Sequence, residues 1–292
     1  MRTTIQDGAF ALLGETTEIL NDKGVEYIIV GGWSPFLLNA NPFPHPGTKD
    51  VDILFKSGTK EGELKSLIED FIKKGFIQSA KHPFQLLKAI EINGLKFMFN
   101  IDLLHPDNQE KDPQMFVDHI DFPVKESHTM RVDYKGKTII LPKSDFFFND
   151  FSTTHKQEFE LTDGRRKIIE FNLLNEAGLI LSKTKSAFNE KRTRDAYDIF
   201  LAIKQNRNYA ATIGQLINIS KEHKEIFSAI EKMYTPNRLK ILDNNIYEWF
   251  SAVDVSEGER ETEDTFTKFF KDLSIEIGQD IEEKKVQNKF YN

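Results

Sequence analysis

Asp50 and Asp52 stand one residue apart in Thr48-Lys-Asp-Val-Asp-Ile-Leu-Phe55, downstream of the glycine pair in Tyr27-Ile-Ile-Val-Gly31-Gly32-Trp-Ser34. Both segments read as strands, the first running into a turn. Side chains alternate along a strand, so Asp50 and Asp52 share one face while Val51 and Ile53 enter the core. Paired carboxylates beside a glycine turn suit a divalent metal that carries a phosphate chain. Gly31 and Gly32 let the backbone approach an anion closely, and Ser34 adds a hydroxyl donor at a helix start. A third carboxylate, Asp102, lies within Phe97-Met-Phe-Asn-Ile-Asp-Leu-Leu104. An ionised side chain in so apolar a strand needs a cation or hydrogen bonds to offset its burial, and a metal shared with Asp50 and Asp52 provides one. The plainer alternatives are a solvated strand end and an ordinary strand–turn–helix corner. The combination of the three features argues against them.

A second stretch with chemical potential runs from Lys183 through Lys191, Arg192 and Arg194 to Asp195 and Asp198. The two aspartates are three apart and share a helix face. One reading is a charged inter-helix turn whose surface pairs contribute little. The other is a phosphate-binding lysine with a carboxylate pair that orients it or Arg194.

Around these residues the spacing predicts a helix over Ile5 to Lys23 closed by Gly24, a strand over Tyr27 to Val30, and a short helix over Ser34 to Leu38. Pro42 to Pro46 is a loop. Val51 to Phe55 is a strand, and Glu63 to Lys74 is a helix with Leu64, Leu67, Ile68 and Phe71 on one face. Phe84 to Ile92 and Leu95 to Leu104 form a hairpin across Asn93-Gly94. Met130 to Tyr134 and Thr138 to Leu141 suggest another across Lys135-Gly136. Beyond about Asp145 helical signals take over: Ile168 to Ala187, Asp195 to Lys204, Thr212 to Ile219, Lys221 to Met233 and Glu263 to Ile277. The expected class is α+β, with a mixed-sheet domain and flanking helices over 1–145 and an all-helical domain over 146–292.

The chain of 292 residues has no cysteine, which excludes disulfides, thiolate metal sites and cysteine nucleophiles. Its seven histidines lack a two-histidine helical spacing, against a zinc site. The net charge of −7 does not suit a general nucleic-acid coat but leaves room for a local basic groove, for which Arg165-Arg166-Lys167 and the run from Lys183 to Arg194 are the candidates. No apolar run reaches membrane-span length and the N-terminus shows no leader pattern, so a cytoplasmic protein is expected.

Gly31-Gly32-x-Ser34, Asp50-x-Asp52 and the strand aspartate Asp102 together resemble the core pattern of the DNA polymerase β-type nucleotidyltransferase superfamily. Lys183 followed by Arg194-Asp195-Ala-Tyr-Asp198 is similar to a segment of the AbiEii-type abortive-infection toxins. The resemblance spans roughly residues 20 to 205. Trp33 in the turn and the proline loop depart from the pattern. The resemblance implies that Asp50, Asp52 and Asp102 bind one or two Mg²⁺ ions, with Asp102 helping to activate an acceptor hydroxyl. It implies that Gly31, Gly32 and Ser34 hold the β- and γ-phosphates of an NTP. Lys183 would contact the triphosphate, with Arg194, Asp195 and Asp198 organising the cleft. The implied partners are an NTP, the 3′ end of a tRNA as acceptor and an antitoxin protein. The rival readings are a small-molecule, antibiotic-type nucleotidyltransferase and a catalytically silent nucleotide-binding protein.

Overall fold

The computed structural model describes residues 2–38, 45–79, 82–106, 116–117, 136–141, 144–204, 208–223, 236–252 and 268–269. Helix α1 (Ile5–Lys23) begins at Thr4, whose side chain accepts from the Asp7 amide while the Asp7 carboxylate bonds back to the cap, and ends at Gly24 with φ 69°. β1 (Tyr27–Val30) and the short α2 (Trp33–Leu38) follow, then β2 (Asp50–Phe55) and α3 (Glu61–Lys73). Next come β3 (Ile77–Gln78), β4 (Gln85–Ile92), β5 (Leu95–Pro106), β6 (Phe116–Val117), β7 (Gly136–Lys137) and β8 (Ile139–Leu141). A 3₁₀ turn (Asp145–Phe148) leads to β9 (Ser152–Glu160) and β10 (Arg166–Leu174). Then α4 (Glu176–Lys183), two 3₁₀ turns, α5 (Thr193–Lys204), α6 (Tyr209–Glu222) and α7 (Pro236–Ala252) complete the described elements.

The protein is α+β, built on a mixed sheet in the order β3-β4-β5-β2-β1-β10-β9. β2 runs parallel to β5 and β1 parallel to β10; the β1–β2, β4–β5 and β9–β10 pairs are antiparallel. Leu104 pairs with both Leu54 and Ile139, so β8 continues along β5 on the side that β4 leaves. Helix α1 crosses one face of this sheet. Its Gly14 lies so close to Phe159 that a Cβ there would sit 2.6 Å from the ring's Cγ. Beneath it lie Val51, Ile53, Phe99, Ile101 and Leu103, all buried.

The chain folds as two compact units. The first holds residues 1–33 and 47–174; the second holds 34–46 and 175–292. The expected boundary at 145/146 differs from this division, because β9 and β10 join the sheet. The expected helix from Ile168 to Ala187 is corrected in the same way. Ile169, Phe171 and Leu173 alternate as buried residues with exposed Ile168, Glu170 and Asn172, a period of two that makes a strand, and α4 starts only at Glu176. The expected second hairpin falls partly outside the described residues, which omit 130–135; of the rest, Gly136 pairs with Val117 and β8 runs parallel to β5. The expected helices over 221–233 and 263–277, and the loop at 42–44, fall largely outside the described residues. Helix α7 was not expected, although Leu242, Ile246 and Phe250 carry its buried stripe.

Candidate functional site

Two neighbouring parallel strands place the carboxylates. Asp52 is the register partner of Asp102, and Asp50 that of Asn100. Register partners share a face, as do residues two apart on one strand, so Asp50, Asp52 and Asp102 all project from the face opposite α1. The shared face agrees with the alternation read from the sequence for Asp50 and Asp52. Val30 flanks Asp52 on the far side, which brings the glycine turn against the acidic row.

The turn fits Asp52 closely. Gly31 has φ 76°, and a Cβ at this position would lie 2.1 Å from Asp52 Oδ2. Only glycine tolerates both conditions. Gly32 is buried beside it. Trp33 is wholly buried; its ring packs against Phe10 at 6.0 Å and its indole N–H donates to the carbonyl of Asp50 at 2.8 Å. The tryptophan braces the strand that bears the carboxylates.

Each acidic side chain has identified neighbours. Thr48 Oγ1 donates to Asp50 Oδ1 at 3.0 Å, and the Thr48 amide donates to Gln6 Oε1 at 3.0 Å. Asp102 Oδ1 accepts from Gln85 Nε2 at 2.8 Å and from Asn100 Nδ2 at 3.1 Å. Burial pushes the Asp102 carboxyl above the usual carboxylate range; these amide bonds act in the opposite sense, and the nearby Asp50 charge raises it further. Among the described residues no three histidine, aspartate or glutamate groups converge closely enough to hold a metal ion. The carboxylates share a face, yet two of them are engaged by Thr48 and by Gln85 and Asn100.

Gln85, Asn100 and Thr48 were not singled out from the sequence, though a signal for Gln85 existed. Asn93-Gly94 sets Ile92 opposite Leu95, and counting back along the hairpin puts Gln85 opposite Asp102.

The second unit gathers the other candidates. Lys183 Nζ lies 2.7 Å from Asp195 Oδ1 and 2.7 Å from Asp198 Oδ2, and all three side chains are buried. His45 Nε2 approaches Asp198 Oδ1 at 3.1 Å, Arg192 Nε approaches Asp195 Oδ2 at 2.7 Å, and Arg194 Nε lies 3.8 Å from Asp198 Oδ2. Burial disfavours every charge here, but the opposite charges prevail. Lys183 is held above its ordinary value by Asp198 and Asp195, and both aspartates are held below theirs by Lys183. The exposed charged turn is therefore not what forms; a desolvated ion cluster does. His45 joins it without having been recognised in the sequence. Ser34 belongs to this unit; it is fully buried and its Oγ has no hydrogen-bond partner among the described residues.

The basic run at 165–167 is largely neutralised. Arg165 donates to both Glu18 oxygens, at 3.2 and 2.9 Å, and to Asp163 at 2.7 Å, while Lys167 reaches Glu18 at 2.9 Å. Among the described residues no helix is long and apolar enough to cross a membrane.

No model of a known protein family matches the chain, and no curated protein matches it. Among solved structures it is similar to an antigenic nucleotidyltransferase-like protein from Paracoccidioides brasiliensis, with 12% identity, a TM-score of 0.33, and coverage of 78% of this chain and 93% of that one.

Proposed function

We propose that this chain is a metal-dependent nucleotidyltransferase that moves an NMP group from an NTP to an acceptor hydroxyl. The observation that carries the reading is the row of Asp52 and Asp102 on adjacent parallel strands, with Asp50 two residues along and Gly31 against Asp52. An all-carboxylate oxygen set suits Mg²⁺. Among the described residues the side-chain bonds to Asp50 and Asp102 end on Oδ1, which leaves each Oδ2 to face an ion. Asp50, Asp52 and Asp102 would hold one or two Mg²⁺ ions only after their side chains close from the positions they take here, where no three of them converge on an ion; such ions would neutralise charge on the triphosphate and on the departing pyrophosphate.

The chain's own groups do the rest. Gly31 and Gly32 would offer backbone amide donors to the β- and γ-phosphates. The acceptor oxygen bonds to the α-phosphorus as the bond to the β-bridging oxygen breaks, and the hydroxyl proton passes to Asp102. A carboxylate raised by burial is the better base for that proton. Gln85 and Asn100 hold Asp102 in orientation. In the second unit, Asp195 and Asp198 keep Lys183 charged and fixed, with Arg194 beside Asp198.

Two acceptors are distinguished by charge. The resemblance to AbiEii-type toxins supports the 3′ end of a tRNA, with the chain as the toxin of a toxin–antitoxin or phage-defence pair. The pairing of Arg165, Lys167, Lys183 and Arg192 with carboxylates favours a small hydroxylated acceptor instead. Incubation with each labelled NTP, Mg²⁺ and total tRNA, with Asp52→Ala alongside, tests the proposal. Wild type is expected to transfer label and the variant is not. Equal labelling by the variant removes the metal assignment. Transfer only to small hydroxylated compounds selects the second acceptor, and nucleotide binding without turnover selects the silent protein.

A further inference from the structure

Strand β9 ends the sheet: among the described residues it pairs with β10 and nothing else. It is nine residues long, Ser152-Thr-Thr-His-Lys-Gln-Glu-Phe-Glu160, and Thr154, Lys156 and Glu158 on one of its faces are exposed. Over residues 152–159, the edge that the described residues leave open presents a row of backbone donors and acceptors that can template another strand. Its charges decide which strand.

We propose that β9 is a self-pairing edge, joined antiparallel to β9 of a second copy of this chain and centred on Gln157. A two-fold axis normal to the sheet keeps every side chain on its own face, so the axis must pass through a residue rather than between two. Centring on Lys156 or Glu158 sets that charge opposite itself. Centring on His155 leaves both charges opposite hydroxyl residues. Centring on Gln157 sets Lys156 opposite Glu158 twice, His155 opposite Phe159 twice and Glu160 opposite Thr154; centring on Glu158 also gives Lys156 an acid, Glu160, but sets Glu158 against itself, so within β9 Gln157 is the centre that pairs Lys156 with an acid and places no like charges opposite one another. A lysine normally guards an edge against pairing; here an acid two residues away on the same face turns that guard into a register mark for a matching copy. Within the chain Lys156 also faces Glu170, while Glu158 faces Ile168, which is 60% exposed.

Sedimentation of the full chain from micromolar to hundreds of micromolar tests this, with circular dichroism checking each variant's fold. Wild type is expected to dimerise reversibly. Glu158→Lys and Lys156→Glu each place like charges opposite one another, and each is expected to weaken self-association about tenfold or more. Mixing the two variants faces a doubly basic edge with a doubly acidic one, and association is expected to return as a heterodimer. A wild type that stays monomeric throughout, a dimer that ignores Glu158→Lys, or variants that fail to associate on mixing would each overturn the proposal.

Discussion

The indole of Trp33 donates its N–H to the backbone carbonyl of Asp50, joining the residue after the glycine turn to the first carboxylate of β2. The ring of the tryptophan turns into the core. Trp33→Phe keeps an aromatic ring but leaves the Asp50 carbonyl without its donor. The orphaned acceptor costs about 1–3 kcal/mol, and the lost volume adds to it. Chemical denaturation should show that loss, and nucleotide transfer should fall with it because the strand bearing Asp50 and Asp52 loses its brace.

Gly31→Ala tests the fit of the turn to Asp52. The added methyl must enter at φ 76° and 2.1 Å from a carboxylate oxygen, so either the turn or Asp52 moves. The left-handed strain alone is about 1–3 kcal/mol. Thermal unfolding reads the stability, and Mg²⁺ titration by calorimetry reads the site. Weakened metal binding is expected even where the protein remains folded.

Asp102→Asn should separate stability from function. The Asp102 carboxyl is raised in the folded state, chiefly by burial, so folding favours the protonated form. Stability is therefore lost as pH rises from the ordinary value of 3.8 through the raised one. The variant removes that loss. Its melting temperature should exceed the wild type's at neutral pH, and the gain should vanish below about pH 3.8, where the acid is protonated in both states. Transfer activity should be abolished. An equal melting temperature across pH would show that hydrogen bonds from Gln85 and Asn100 fully offset the burial.

Lys183→Met leaves Asp195 and Asp198 buried without their shared cation. Breaking a buried ion set from one side costs about 3–5 kcal/mol. Combining it with Asp195→Asn and Asp198→Asn should recover much of that, since the stranded charges go with the lysine. Denaturant midpoints of the single and triple variants measure the difference. In the wild type, the depressed aspartates contribute stability that is present above their ordinary 3.8 and lost as pH falls through their folded values.

The residues that carry the proposed chemistry were legible because their signals are local. Alternation put Asp50 and Asp52 on one face, Gly24 closed α1, and Asn93-Gly94 marked the β4–β5 hairpin, from which the pairing of Gln85 with Asp102 follows once the register is counted. The stretch from Arg166 to Leu174 misled because a mixture of apolar and charged residues fits a helix nearly as well as a strand until the pairing partner is known. That partner, β9, has few apolar residues and no strand signal of its own; it is a strand because β10 supplies its hydrogen bonds.

The sequence alone determined which side chains are acidic, which positions must be glycine, and how residues close along the chain alternate between core and surface, since these follow from covalent structure and short-range sterics. Only the tertiary structure decided that β5 lies beside β2 in the register that faces Asp102 with Asp52. It also decided that Lys183 is paired with two aspartates, that His45 meets one of them, Asp198, and that Arg165 and Lys167 are held by Glu18. Those outcomes depend on interactions between distant segments, whose strength comes from desolvation and mutual burial that no local pattern encodes.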